Sequence, residues 1–187
     1  ALETVLLPQG LKGIGQYAFR NCVKLSEISL PEGLVTLNAQ AFSGCGQYFE
    51  KTGLKTGLKS ITVPSTVTTI GKSVFENCAA LEEATVKSTN VGENMFLGCV
   101  SLKKVTIGAE TESIKALAFS GCKSLAEVNM QSNVLAEIGK GAFQNTAITQ
   151  FTVPDTVDTL GAGSASSTGA KDGIFYGCNQ LETVTIG

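Results

Sequence analysis

Residues 70–81 read Ile-Gly-Lys-Ser-Val-Phe-Glu-Asn-Cys-Ala-Ala-Leu, and the Phe-x-Asn/Gly part of this stretch occurs seven times in the 187-residue chain. The phenylalanines are Phe19, Phe42, Phe75, Phe96, Phe119, Phe143 and Phe175, spaced 23, 33, 21, 23, 24 and 32 residues apart. Six copies continue with Cys, whereas Thr146 replaces it in the remaining copy. A period near 23 residues is typical of a solenoid, in which each repeat forms one turn of a stack.

A six-residue segment with strand-like alternation follows each motif. In residues 25–30, Leu-Ser-Glu-Ile-Ser-Leu, the apolar residues occupy positions one, four and six. Equivalent segments begin at Leu2, Leu58, Leu81, Leu102, Leu125, Ile148 and Leu181. The last two apolar positions are separated by one polar residue, which predicts a strand with one inward and one outward face. One repeat cannot bury its apolar face alone, so we expect a parallel sheet of about eight short strands.

The stretch before each Phe predicts a short helical turn on the opposite side of the repeat. Residues 15–19, Gly-Gln-Tyr-Ala-Phe, illustrate it, and the Asn or Gly two places after Phe tolerates the left-handed conformation that ends such a turn. The predicted fold class is therefore an α/β solenoid with a concave parallel sheet and short helical or 3-10 turns on the convex side. Stacking would place the seven phenylalanines in one internal column.

Two insertions interrupt the period, near residues 46–55 and 161–170. Insertions in solenoids form loops that leave the stack intact. The first insertion carries Tyr48 and Phe49, which are aromatic anchors of the kind favoured at interfaces, and we take both as candidate partner-binding residues. The alternative is that these two aromatic side chains fold back against the convex side.

Composition excludes several functional classes. The 14 Lys and Arg and 16 Asp and Glu residues give a net charge of −2, so no basic stripe for nucleic acid or anionic lipid is expected. No apolar run approaches the roughly 20 residues of a membrane-spanning helix. The chain has no His, which removes Ser-His-Asp and Cys-His pairs and imidazole metal ligands. We predict no enzymatic activity, no catalytic residue, no metal and no cofactor.

The six cysteines allow two interpretations. Neighbouring repeats would bring their Cα atoms within disulfide range, at about 5 Å. However, Cys22, Cys45, Cys78, Cys99 and Cys122 lie on five consecutive repeats, so pairwise bonding would leave an unpaired thiol. We therefore predict reduced thiols that pack as small buried hydrophobic groups. A zinc site is not expected, because no Cys-x-x-Cys pair occurs.

The outward strand positions form two columns when the repeats are stacked. One column has mixed charge and supplies the candidate partner-binding residues, which are Glu27, Ser60, Glu83, Lys104, Glu127 and Gln150. The other column consists of Ser29, Thr62, Thr85, Thr106, Asn129, Thr152 and Thr185. Threonine suits an exposed strand position without any binding role, so the second column is explained by sheet chemistry.

The repeat resembles the BspA-type leucine-rich repeat, with the pattern Ile-Gly-x-x-Ala-Phe-x-Gly/Asn-Cys-x-x-Leu-x-x-Ile-x-Ile-Pro. Residues 70–81 are a near-complete copy, and the resemblance covers the chain as a single domain over residues 1–187. The departures are Thr146, Ala84, Ile148 one place early, and the two insertions. The resemblance implies a right-handed leucine-rich-repeat solenoid on secreted or surface-anchored proteins of host-associated bacteria.

These observations together lead to a functional expectation. Because the chain opens in mid-repeat and stops just after a strand, we expect a fragment of a longer protein. We expect a cell-surface or secreted module that mediates protein–protein interaction or adhesion, with a host extracellular or surface protein as partner. Two alternatives remain open: a carbohydrate-binding surface module, and a structural spacer in a larger surface protein.

Overall fold

A computed structural model describes residues 2–49, 54–161 and 173–187. The strands are β1 (Thr4–Val5), β2 (Gly13–Ile14), β3 (Glu27–Ile28), β4 (Thr36–Leu37), β5 (Gly46–Phe49), β6 (Leu54–Gly57), β7 (Ser60–Val63), β8 (Thr69–Ile70), β9 (Glu83–Val86), β10 (Asn90–Val91), β11 (Lys104–Ile107), β12 (Ser113–Ile114), β13 (Glu127–Met130), β14 (Glu137–Ile138), β15 (Gln150–Val153), β16 (Thr159–Leu160) and β17 (Thr183–Ile186). Apart from β5 and β6, they belong to a parallel-stranded solenoid. We call each turn of it a rung.

The predicted strands form the first of two parallel ladders, which we call the long-strand ladder. Its eight strands are β1, β3, β7, β9, β11, β13, β15 and β17. The predicted alternation is confirmed: in β7 and β15 the exposed and buried residues alternate strictly. The ladder has three separate parts, because β3 does not pair with β7 and β13 does not pair with β15.

The second ladder is built from two-residue strands later in each rung. It joins β2, β4 and β8 in one part and β10, β12, β14 and β16 in another. Most of these strands bring one apolar residue into the core, as Leu37 and Ile114 show by being fully buried, whereas Leu160 in the last strand, β16, is exposed.

The third side of each rung corrects the prediction of helical turns, because the described residues contain no helix. Alternate amides point in different directions. The amides of Asn94, Phe96 and Gly98 donate to carbonyls of the next rung, whereas those between them donate three residues back within the turn. A continuous helix would use every amide internally. This side is therefore a third backbone connection between rungs, which we call the Phe turns.

Left-handed residues at two places in each Phe turn explain why a helix cannot form there. The Asn or Gly two places after Phe has positive φ in all seven copies, as predicted, for example 57° at Asn77 and 72° at Gly98. The residue two places before Phe is also left-handed in the first six copies, including Leu117 at 56°. A helix needs consecutive right-handed residues, so two left-handed residues four positions apart leave only single turns.

The choice between Asn and Gly after Phe depends on the neighbouring rung. A Cβ atom built on Gly98 would lie 2.3 Å from Oδ1 of Asn77, one rung earlier. Gly44 stands in the same relation to Asn21, and Gly177 to Asn145. The Asn side chain thus occupies the space that the missing side chain of the following Gly leaves open. This packing explains why no Asn follows Asn on consecutive rungs.

The predicted phenylalanine column is confirmed. Ring centroids from Phe19 to Phe143 are 5.1 to 5.5 Å apart and the rings are inclined by at most 10°. The spacing widens to 5.9 Å between Phe143 and Phe175, where Phe151 contacts both rings at a tilt. The five central rings from Phe42 to Phe143 are fully buried. The stack is therefore the centre of the apolar core.

The first insertion forms a hairpin rather than a simple loop. Strands β5 and β6 pair antiparallel, with Gly46 opposite Gly57 and Tyr48 opposite Lys55. Both terminal glycines have positive φ, and a Cβ atom on Gly57 would lie 2.4 Å from the Cα atom of Gly46. Residues 50–53 of this insertion, and all but residue 161 of the second insertion near 161–170, lie outside the described residues.

Replacing Phe96 with Ala tests the stack. We expect Phe96→Ala to lower the free energy of unfolding by about 3–5 kcal/mol, because it removes a fully buried ring and leaves a cavity between two others. Phe175→Ala is the control, since Phe175 is only half-buried, and we expect about half that loss or less. Urea unfolding followed by circular dichroism measures both; equal losses would contradict the central position of the stack.

Candidate functional site

The mixed-charge column predicted from the sequence is partly assembled by the long-strand ladder. Ser60, Glu83, Lys104 and Glu127 are direct partners on the consecutive strands β7, β9, β11 and β13. Ser60, Glu83 and Glu127 are exposed and Lys104 is half-buried, as expected for outward positions. Four of the predicted residues therefore form one continuous row on a rigid sheet.

The two remaining strand residues lie outside this row. Glu27 is on β3, where its partner is Thr4, and Gln150 is on β15, where its partner is Thr183. Both are exposed, but an interruption of the ladder separates each from the row. The predicted column of six residues is thus a row of four with one residue beyond each break.

The structure does not test the aromatic part of the predicted site. The backbone of Tyr48 and Phe49 lies in β5, which β6 separates from β7 in the chain. The side chains of both residues fall outside what the structure describes. Their role in binding a partner stays a prediction.

Ion pairs link neighbouring rungs along the strand face. Lys104 Nζ lies 2.5 Å from a carboxylate oxygen of Glu127. The hydrogen bond and charge of Glu127 raise the pKa of Lys104. Beside this row, Glu82 lies 2.7 Å from Lys103 Nζ and 3.8 Å from Lys59 Nζ. These pairs are solvent-exposed, so they fix the charge pattern of the surface more than they stabilise the fold.

Glu82, Lys59 and Lys103 form a charged triad that sequence reasoning missed. The hydrogen bond from Lys103 is the main cause that holds the pKa of Glu82 below its ordinary value, with a weaker contribution from Lys59. The three residues occupy the position just before the mixed-charge column on three successive rungs. The repeat period could have aligned them, but only the contact distances show that Glu82 bridges the two lysines.

The two breaks in the long-strand ladder open grooves on the strand face. At the break between β3 and β7, a cavity of about 280 Å³ is lined by residues of both strands. It adjoins a cavity of about 650 Å³ that extends to β1 and includes Glu27 and Glu32 in its walls. At the break between β13 and β15, a cavity of about 240 Å³ is lined by Val128, Met130 and residues 150–152.

The cysteines form a column of hydrogen-bonded thiols beside the Phe stack. The Sγ atoms of Cys45, Cys99 and Cys122 donate to the carbonyl oxygen of Phe on the previous rung, at 2.9 to 3.1 Å. Thr146 instead donates to Phe143 O of its own rung and lies 3.2 Å from Cys178 Sγ. Five of the six cysteines are buried, which fits the predicted packing role, and that all six thiols are reduced stays a prediction.

Burial makes these thiols poor nucleophiles. Desolvation is the largest cause that raises the pKa values of Cys45, Cys78, Cys99 and Cys122. The reactive form of cysteine is the thiolate, so a raised pKa suppresses reaction. In the described part of the chain, no group of three or more Cys, Asp or Glu side chains is placed to hold a metal ion. Nor does any helix among those residues have the length and apolarity to cross a membrane.

The repeat pattern matches the family described as BspA type leucine rich repeat region, in six copies over residues 1–57 and 50–169. The chain belongs to the BspA-type leucine-rich repeat family. The resemblance carried by the Phe-x-Asn/Gly-Cys motif is therefore confirmed. No curated protein matches this BspA-type chain at a significant level.

Solved structures of bacterial repeat proteins have the same fold. A leucine-rich repeat protein from Eubacterium ventriosum is 24% identical with a TM-score of 0.72, and covers 86% of this chain and 42% of its own. A leucine-rich repeat protein from Bacteroides ovatus is 24% identical with a TM-score of 0.64, and the match covers 100% of this chain and 55% of that protein. A leucine rich cell surface protein from Faecalibacterium prausnitzii is 22% identical with a TM-score of 0.53, and the match covers 98% of this chain and 49% of that protein. The chain spans about half the length of these proteins.

Alkylation counts the free thiols of this BspA-type array and shows which of them are accessible in the native protein. In the native protein, iodoacetamide should modify only Cys22, which is half-buried, because the other five are buried and four of them have raised pKa values. In denaturant without reductant, all six should be labelled. Mass spectrometry reads both experiments; fewer than six labels in the denatured chain would show that a disulfide exists.

Proposed function

We propose that this chain is a non-enzymatic module of a cell-surface or secreted protein, and that it binds another protein through its strand face. The observation that carries the proposal is the row Ser60, Glu83, Lys104 and Glu127, held in direct register on four paired strands. Fixed rows of alternating charge give a surface electrostatic specificity for one partner over others. We further propose that residues 1–187 act as one domain.

The partner class is proposed from the chemistry of the same face. Its described outward strand positions carry Ser, Thr, Asn, Gln, Glu and Lys, and no aromatic side chain. Such a surface offers ion pairs and hydrogen bonds, which suit the polar rim of a protein interface. Buried thiols and the lack of His in the sequence give no support to a catalytic role. The similarity to a leucine rich cell surface protein supports an extracellular setting, with a host surface or extracellular protein as partner.

Charge swaps test the proposed surface. The double variant Lys104→Glu/Glu127→Lys keeps an ion pair and the net charge but reverses the order of charge along the row. The matched control is Lys72→Glu/Glu93→Lys, which swaps a pair of 2.9 Å on the Phe-turn side. Binding to an array of host secreted and surface proteins would identify a partner. Biolayer interferometry would then measure each variant against it.

We expect the strand-face swap to weaken binding about tenfold or more, which corresponds to about 1.4 kcal/mol, and the control swap to leave it within about twofold. Equal effects of the two swaps would contradict the strand face as the binding surface. If no protein on the array binds and a glycan array gives a signal, the carbohydrate alternative replaces the proposal. If neither the protein array nor the glycan array gives a binding signal, the result would favour a structural spacer.

A further inference from the structure

The groove at the break between β3 and β7 has walls from both sides of the interruption. Ile28, Ser29 and Leu30 line one side, and Ser60, Ile61 and Thr62 line the other. Ile28 is half-buried, whereas Ile61 and Ala84 at the same inward position on the next two rungs are 4% and 3% exposed. The break therefore uncovers apolar surface on its β3 side, at Ile28, whereas Ile61 on its β7 side stays buried.

The hairpin insertion lies at this break in the chain. Strands β5 and β6 stand between Cys45, which ends one rung, and Leu58, which begins the next, so the chain reaches β7 by a detour. The second ladder still pairs β4 with β8, and the Phe42 and Phe75 rings are still 5.2 Å apart. Only the strand face opens, so the groove is a local feature on a rigid support.

The charge of the groove has one sign. Glu27 and Glu32 belong to the walls of the adjoining cavity, and no Lys or Arg does. Within the described residues, neither carboxylate lies within 4.0 Å of a cationic nitrogen, whereas Glu82, Glu93, Glu127 and Glu137 all do. Two carboxylates without an ion-pair partner, beside the partly exposed Ile28, form a site for a cation that has an apolar stem.

We infer that this groove binds an extended segment of a partner protein that carries Arg or Lys, an inference that rests on the proposed protein-binding function. The aliphatic stem of the cationic side chain packs on Ile28 and Leu30, and its charged head lies between Glu27 and Glu32. Arg suits the site best, because its planar guanidinium pairs with carboxylates in bidentate geometry. An acidic or purely apolar segment would leave both carboxylates unpaired.

The backbone of the segment has partners as well. Strands β3 and β7 do not pair with each other, so their facing edges have backbone groups that the long-strand ladder does not use. An extended peptide can add to such an edge through main-chain hydrogen bonds while alternate side chains enter pockets. The cavities of about 280 and 650 Å³ fall in or near the size range of pockets that hold small ligands. That space suits a segment of a few residues.

The other break in the same ladder provides an internal comparison. Its cavity of about 240 Å³ has Val128, Met130, Gln150, Phe151 and Thr152 in its walls and no carboxylate. It shares the interrupted backbone and the partly exposed apolar residues, but it lacks the acidic groups. A cationic segment that binds through the features we describe should therefore prefer the β3–β7 groove.

A peptide titration followed by NMR tests the inference. The probes are an amidated, acetylated Thr-Arg-Thr-Arg-Thr-Arg hexapeptide and its counterpart with Glu at each Arg. We expect the Arg peptide to shift the amide signals of residues 27–30 and 60–62, and the Glu peptide to shift none of them. Shifts concentrated at residues 128–130 and 150–152, shifts spread over all acidic positions, or no shifts would each overturn the inference.

Paired variants separate a specific site from general charge attraction. Glu27→Gln/Glu32→Gln removes both groove carboxylates, and Glu110→Gln/Glu112→Gln makes the same charge change at two exposed residues outside it. We expect the first variant to weaken Arg-peptide binding at least about tenfold and the second to weaken it less than about twofold. Equal losses would overturn the site. An Arg peptide with every second amide N-methylated cannot donate those main-chain hydrogen bonds. If it bound as tightly as the unmethylated Arg peptide, the proposed main-chain pairing with the strand edges would be overturned.

The same variants distinguish failure of the groove from failure of the proposed function. Suppose a protein partner is found whose binding is lost in Lys104→Glu/Glu127→Lys but unchanged in Glu27→Gln/Glu32→Gln. The strand face would then bind its partner without the groove, and the inference alone would fail. Loss of partner binding in the groove variant, with normal binding in Glu110→Gln/Glu112→Gln, would support both.

Discussion

In the Phe turns every second backbone amide donates a hydrogen bond to the next rung. These hydrogen bonds set the geometry of the whole molecule. The amide of Phe96 donates to Ala118 O at 2.8 Å, and that of Phe75 donates to Met95 O at 2.9 Å. Parallel strands lie about 4.8 Å apart, and stacked rings fit that repeat with a small offset. The same spacing brings five cysteine thiols to the Phe carbonyl of the previous rung, those of Cys45, Cys78, Cys99, Cys122 and Cys178. Most rungs are thus joined to the next on three sides by one common repeat distance, and the exceptions are the interruptions of the two strand ladders.

This uniform stack makes the exceptions the places where function can arise. The long-strand ladder breaks where the hairpin enters the chain, and again near Thr146 and Ile148, where the repeat is one residue short. At both breaks the Phe column continues, and Phe151 contacts Phe143 and Phe175 at the second. The core therefore tolerates irregular rungs while the strand face opens. A solenoid can change its surface in this way without loss of its support.

Much of the architecture could be predicted from the sequence because its causes recur in every repeat. The seven phenylalanines, the inward and outward strand positions and the left-handed Asn or Gly all follow from spacing and residue type. The prediction of helical turns was wrong, because the left-handed conformation two places before Phe could not be recognised from the residue type. The residues at that position share no chemistry: they are Tyr17, Gln40, Ser73, Asn94, Leu117 and Gly141. There the neighbouring rung imposes the conformation. The breaks in the ladder, and the ion pair by which Glu82 joins two lysines, likewise depend on contacts between rungs that one repeat does not encode.

The most direct measurement of the central claim is the scalar coupling across hydrogen bonds, detected by NMR between an amide nitrogen and the carbonyl carbon it bonds. For the amide of Phe96, cross-rung bonding predicts a coupling to the carbonyl carbon of Ala118, and the same pattern at Phe75 and Met95. A helix on this side would instead couple Phe96 to the residue four places earlier, Gly92. A coupling to Gly92 with none to Ala118 would contradict the account.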